Sequence, residues 1–189
     1  MRREVIDIFL NLKDYSEAVD AYSNGASLPD CMADNRNWVL HRLLSLPSMS
    51  ATALLSQIDF LSEDFHSAIL CFEACRLTAT MYCIHVTFPV PRSTYARRLL
   101  LPQMKESIGK IHLAAREQAL GELLLWCVVV GGIAASGQPE RTWFATQLFN
   151  VSTSLDLTKW SDAKVVLRKF AWLDSACSRG GAAFWNEVL

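Results

Sequence analysis

Residues 123–135 read LLLWCVVVGGIAA, thirteen consecutive positions with no charged side chain. As a helix this run is about 20 Å long at ~1.5 Å per residue. A bilayer core of ~30 Å needs about 20 apolar residues, and Glu122 and Arg116 soon interrupt the run on its N-terminal side. A transmembrane span is therefore not expected. Gly132 and Gly137 have the separation of a phosphate loop, but Gln138-Pro139 follows where that loop needs Lys and Ser or Thr. What remains is the middle of a buried helical hairpin. Each mid-helix glycine costs about 1 kcal/mol relative to alanine, whereas each buried Val or Leu contributes about 1.5–3 kcal/mol. The missing β-carbons of Gly131 and Gly132 let a neighbouring helix come close. Pro139 suits the first turn of the next helix, with Glu140 at its positive end. Trp143, Phe144, Leu148 and Val151 then continue the core.

A period near 3.6 runs through the rest of the chain. Val5, Ile8, Phe9, Leu12, Tyr15, Val19 and Tyr22 form one stripe, ended by Asn24-Gly25. Further helices are expected over 37–46, 49–61, 63–88, 95–116, 120–135, 139–151 and 160–173, with a last turn or two over 182–189. Linkers fall at 24–30, 47–50, 89–94 and 136–138. Proline excludes the helical conformation for its predecessor, so Pro89-Val90-Pro91 stops the long helix. Strand-type alternation is scarce. The expectation is an all-α, single-domain irregular bundle of about seven to eight helices.

At 51% hydrophobic and 20% charged residues, the chain is on the apolar side of the globular average, which argues against disorder. Its net charge of −1 supplies no basic face for nucleic acid and no general attraction to acidic membranes. Cysteines 31, 71, 75, 83, 127 and 177 lie mostly in apolar helical patterns. The N-terminus acquires Glu4, Asp7, Asp14 and Glu17, unlike a secretory or transit peptide. Free buried thiols inside the cell are the expectation.

Four stretches, in order, resemble a known family. LLLWCVVVGGIAASGQPERTWF is similar to part of the regulatory region of fungal transcription factors of the zinc–cysteine binuclear cluster class. NWVLHRLLSLP at 37–47 resembles the start of that region's best-marked portion. FEACRLTATMYCIHVTFPVPRS at 72–93 resembles its long central helix and proline-ended loop. WSDAKVVLRKFAWLDSACSRGGAAFWNEVL at 160–189 resembles its closing segment. The resemblance implies that residues 1–189 are the C-terminal part of such a regulatory domain. It implies action in the nucleus, with the cytoplasm as a second compartment, through protein partners of the transcription machinery or self-association. Some members respond to metabolites. The family's DNA-binding module has clustered cysteines beginning C-x2-C-x6-C that hold its zinc. Here the cysteine spacings are 40, 4, 8, 44 and 50, so zinc and direct DNA contact are not carried over to any residue.

Sharper chemical readings were weighed against packing. Cys71 and Cys75 lie one turn apart, with Cys83 and His85 following, but position 83 sits about 12 Å beyond 75 along one helix. One straight helix cannot wrap an ion, so no metal site is expected. His41, His66, His85 and His112 supply no recognisable acid–base constellation, and neither G-x-S-x-G nor H-E-x-x-H occurs. No enzyme is expected. Glu73 and Arg76, three apart, are close enough to pair. Arg76 or Arg141 facing a cavity would be a candidate contact for an acidic effector, with Glu73 beside Arg76. Arg92, Arg97, Arg98, Lys105 and Lys110 read as a solvated basic face. Gly131, Gly132, Pro139, Trp143, Trp160 and Trp172 are expected to be helix-packing positions. The alternatives are a small helical enzyme or carrier for an apolar metabolite, or a fragment with no independent function.

Overall fold

The structure, a computed structural model, describes residues 3–27, 32–47, 63–87, 95–111 and 118–189. These residues form eight α-helices and no strand, an all-α single domain as expected. In chain order they are α1 (Arg3–Ser23), α2 (Met32–Ser45), α3 (Glu63–Tyr82), α4 (Tyr95–Gly109), α5 (Gln118–Ala134), α6 (Arg141–Ser154), α7 (Trp160–Leu167) and α8 (Asp174–Val188). A π-helical turn, Cys83–Thr87, continues α3. The expected element over 49–61, the proline-ended loop at 89–94 and residues 112–116 lie outside the described residues.

The fold is organised around α5. Every residue from Leu124 to Ala135 is buried, and α5 packs against α3, α4, α6, α7 and α8. A helix that is apolar on all sides has no solvent face to offer, so it becomes the axis on which amphipathic neighbours bury their stripes. The glycine pair permits the closest of these contacts. A β-carbon on Gly131 would lie within 3.0 Å of the Phe144 ring on α6, and one on Gly132 within 3.0 Å of the Phe184 ring on α8. Trp126 donates its indole N–H to the Ala171 carbonyl at 2.8 Å, satisfying the one polar group that this buried side chain carries.

Helix ends follow local chemistry. Gly25, at φ +97°, closes α1: its N–H donates to the Tyr22 carbonyl, and the Ala26 N–H to the Ala21 carbonyl. This is the paired-bond ending in which a left-handed residue uses up orphan carbonyls. Asp156, at φ +54°, occupies the same position after α6, with Asp156 N–H on Thr153 and Leu157 N–H on Ser152.

Several boundaries differ from the sequence reading. Helix α2 begins at Met32, not residue 37. Helix α6 begins at Arg141 with Glu140 as its N-cap, so Pro139 sits in the preceding turn and not in the helix. Helix α7 stops at Leu167, and residues 168–173 turn the chain back towards α5. Helix α8 covers fifteen residues, where only a turn or two was expected after Gly180-Gly181. Those glycines lie inside the helix as contact points. A β-carbon on Gly181 would reach 2.5 Å from the Trp160 ring and 3.2 Å from that of Trp172. Pro102 lies inside α4 on an exposed position. Arg97 is not part of a solvated basic face: it is buried on the α4 stripe with Leu101, Met104 and Ile108. Arg98 and Lys105 are exposed, and Lys110 pairs with Glu106 at 2.6 Å.

Among the described residues, Ala68–Thr87 is long and apolar enough to cross a membrane by length and composition alone, which the sequence reading did not single out. Residues 73–83 of that stretch are all buried within the bundle, including the Glu73–Arg76 pair.

Candidate functional site

The charged residues singled out from sequence have partners in the fold. Arg76 makes a two-pronged contact with Glu73 on its own helix, Nε to Oε2 at 2.9 Å and Nη2 to Oε1 at 2.7 Å. Both side chains are about one-tenth exposed. A buried ion pair stands or falls as a unit, because removing one partner strands the other charge at a cost of about 3–5 kcal/mol. Arg141 is a three-way tie. Its guanidinium donates to the Gly132 carbonyl near the end of α5, bonds Glu187 of α8 with Nε–Oε2 at 3.1 Å, and lies 4.1 Å from the Phe184 ring centroid. Glu187 is held below the usual carboxylate range, first by its hydrogen bond from Arg141. Arg141 thus covers the ring that the glycine pair admits. Neither arginine lines the two cavities described next.

The expected packing signature divides by helix. Trp143 packs edge-on against Phe144, with ring centroids 5.0 Å apart. Trp160 and Trp172 meet at 6.1 Å, and Trp160 also approaches Trp185 at 6.0 Å. Trp172 is buried and Trp160 half-buried.

The cysteines are free among the described residues: Cys75, Cys83, Cys127 and Cys177 are buried, and Cys71 is half-buried. Burial pushes the thiols of Cys83 and Cys177 up to about 12. Cys75 on α3 is raised too, first by its hydrogen bond with Cys127 on α5 and then by burial. Thiols kept protonated in this way are packing groups and poor nucleophiles at neutral pH. His41 is exposed and His85 half-buried. The side chains of His66 and His112, like Cys31, lie outside the described residues.

Two concavities flank α1. The first is a polar cleft of about 590 Å³, lined by Glu17, Asp20, Ser23, Arg168, Trp172 and Asp174 among others. Asp20 reaches across it to α8, its Oδ2 accepting from the Asp174 N–H at 2.8 Å and Oδ1 from the Ser175 N–H at 3.4 Å. A carboxylate there satisfies orphan N–H groups and complements the helix dipole, so α1 supplies the cap that α8 does not carry itself. Asp174 gathers Arg168, Lys164 at 3.2 Å, Ser178 at 2.8 Å and the Trp172 indole N–H at 3.0 Å. Burial alone would raise its carboxyl, but the bonds from Arg168, Ser178 and Lys164 outweigh it and bring it from 3.8 to about 2.

The second concavity is an apolar groove of about 270 Å³. Ile6, Phe9 and Leu10 of α1 form one wall, and Leu123 and Trp126 of α5 line it with Cys75, Phe170 and Ala171. Phe170 stacks on Trp126 with centroids 5.8 Å apart and planes 23° apart. Lys13 and Lys169 complete the lining. Sequence reading placed these residues on separate stripes and found neither cavity, since both depend on how α1 crosses the turn after α7.

Comparison with known proteins finds no matching family model, no matching curated protein and no matching solved structure.

Proposed function

We propose that the chain is a regulatory module of the kind its resemblance implies, the C-terminal part of the regulatory domain of a fungal zinc-cluster transcription factor. It works in the nucleus by protein contact, with the transcription machinery or with a second copy of itself. A shift in helix packing relays the signal, as when a partner binds one of two arrangements better than the other. The observation that supports this reading is the attachment of α1. Ile8 and Leu12 join the core, and the C-terminal half of α1 is tied to α3 and α8 by polar contacts. Ser16 Oγ meets the Tyr82 hydroxyl at 2.8 Å, and Asp20 caps α8. Its main neighbour is α2, which exposes Leu44 and Trp38 on its outer side. These contacts would break together if α1 moved, which makes α1 the element whose packing a partner would shift.

The test is a reporter assay. The chain is fused between a heterologous DNA-binding domain and an activation segment, alongside an Asp20→Ala version. The expected result is that the native chain restrains reporter output and that Asp20→Ala relieves the restraint. Equal output from both fusions and from a fusion lacking the chain would overturn the proposal.

A further inference from the structure

The groove beside Trp126 has an uneven chemistry. Its interior is hydrocarbon and aromatic, contributed by Ile6, Phe9, Leu10, Leu123, Trp126 and Phe170. The formal charges in its lining are both positive, Lys13 and Lys169. Their carboxylate partners, Glu17 at 3.6 Å from Lys13 and Glu122 at 2.6 Å from Lys169, are not part of the lining. Cys75, the remaining ionisable group, stays a neutral thiol, held so by its hydrogen bond with Cys127 and by burial. A neutral apolar guest would use the walls and ignore the ammonium groups. A cation would find no carboxylate in the lining to bind.

From this arrangement we infer that the groove is a binding site for a free straight-chain carboxylate, its hydrocarbon tail along Trp126 and Phe170 and its carboxylate between Lys13 and Lys169. The size sets the chain length. At roughly 30 Å³ per methylene-sized group, the share a water molecule takes in the liquid, 270 Å³ holds about nine such groups. Saturated acids of about eight to ten carbons fit, and much longer ones leave part of the tail in water. The carboxylate shares each ammonium with the glutamate already there. The Lys13–Glu17 pair is an exposed i,i+4 contact of little strength and yields readily. This goes beyond the regulatory reading and does not need it, because binding is a property of the chain alone.

The experiment is calorimetric titration of the purified chain with decanoate, decanol and butanoate, all below the concentrations at which the amphiphiles aggregate. Saturable one-to-one binding of decanoate is expected. Decanol, with the same tail and no charge, should bind about tenfold or more weakly, the factor that ~1.4 kcal/mol represents. Butanoate should be weaker still. Lys13→Gln, at a half-buried position whose ion pair contributes little, should weaken decanoate severalfold and leave decanol unchanged, and Lys13→Gln/Lys169→Gln should bring decanoate to the level of decanol. Equal affinity for decanoate and decanol, or decanoate binding untouched by the double substitution, would overturn the site as an anion site. No saturable binding of any of the three would overturn the site itself.

Discussion

A single hydrogen atom decides the closest contacts in this protein. At Gly132 the Phe184 ring occupies the space that a side chain would take, and at Gly131 the Phe144 ring does the same. Gly132→Ala gains about 1 kcal/mol of helix propensity but forces the Phe184 ring out of its seat, and overpacking of this kind costs about 1–3 kcal/mol. Phe184 cannot yield freely, since the Arg141 guanidinium lies over its ring. The expected net is a loss of up to about 2 kcal/mol in denaturant unfolding. Phe184→Leu in the same chain should cost less than its effect alone, because it removes the clash. Additive effects of the two substitutions would count against the contact. The glycine pair was legible as a close-approach device from LLLWCVVVGGIAA, because nothing else explains glycine in so apolar a helix. Which rings filled the space was not, since Phe184 comes 52 residues after Gly132.

At the scale of elements, helix-forming patterns were readable where one stripe faced one core. The stripes of α1 and α6 and the uniform apolarity of α5 fall in this class. Reading failed where tertiary contact overrode a local signal. Only a turn or two was expected over 182–189, whereas α8 runs from Asp174 through Gly180-Gly181, where two tryptophan rings take the space at Gly181. Arg97 looked solvated and is buried, because position 97 shares a face with Leu101, Met104 and Ile108. The junction between α7 and α8 has a pH signature. Asp174, held at about 2 against an ordinary 3.8, is a carboxyl whose folded value is depressed. Its contribution is therefore fully present above about pH 4 and is lost as the pH falls towards 2. Being half-buried at the rim of the cleft, the group contributes a screened and modest share. Unfolding followed from pH 5 to pH 2 should show stability falling in that window, and Asp174→Asn should flatten part of the fall. An unchanged slope in the variant would place the acid sensitivity elsewhere.

The whole molecule is a bundle in which titratable groups take part as packing. Cys83 and Cys177 remain protonated to about 12 in the folded state, whereas an ordinary thiol ionises near 9. For an acid whose folded value is raised, the folded state holds protons that the unfolded chain releases. Stability is then complete below about pH 9 and declines as the pH rises towards 12. Cys177→Ala should make that alkaline decline shallower, measured by unfolding between pH 8 and pH 11 under reducing conditions. Equal slopes would show that the thiol is not the group being titrated.

By itself the sequence determined that the chain is helical and that 123–135 lies at its centre, because periodicity and hydrophobic burial act over neighbouring residues. Only the tertiary structure decided that Asp20 caps a helix 154 residues away, that Arg141 ties three helices together, and that two lysines join the lining of an apolar groove. Such contacts are set by how helices cross, and a crossing depends on the summed shape of many side chains, which no local pattern in one strand of sequence encodes.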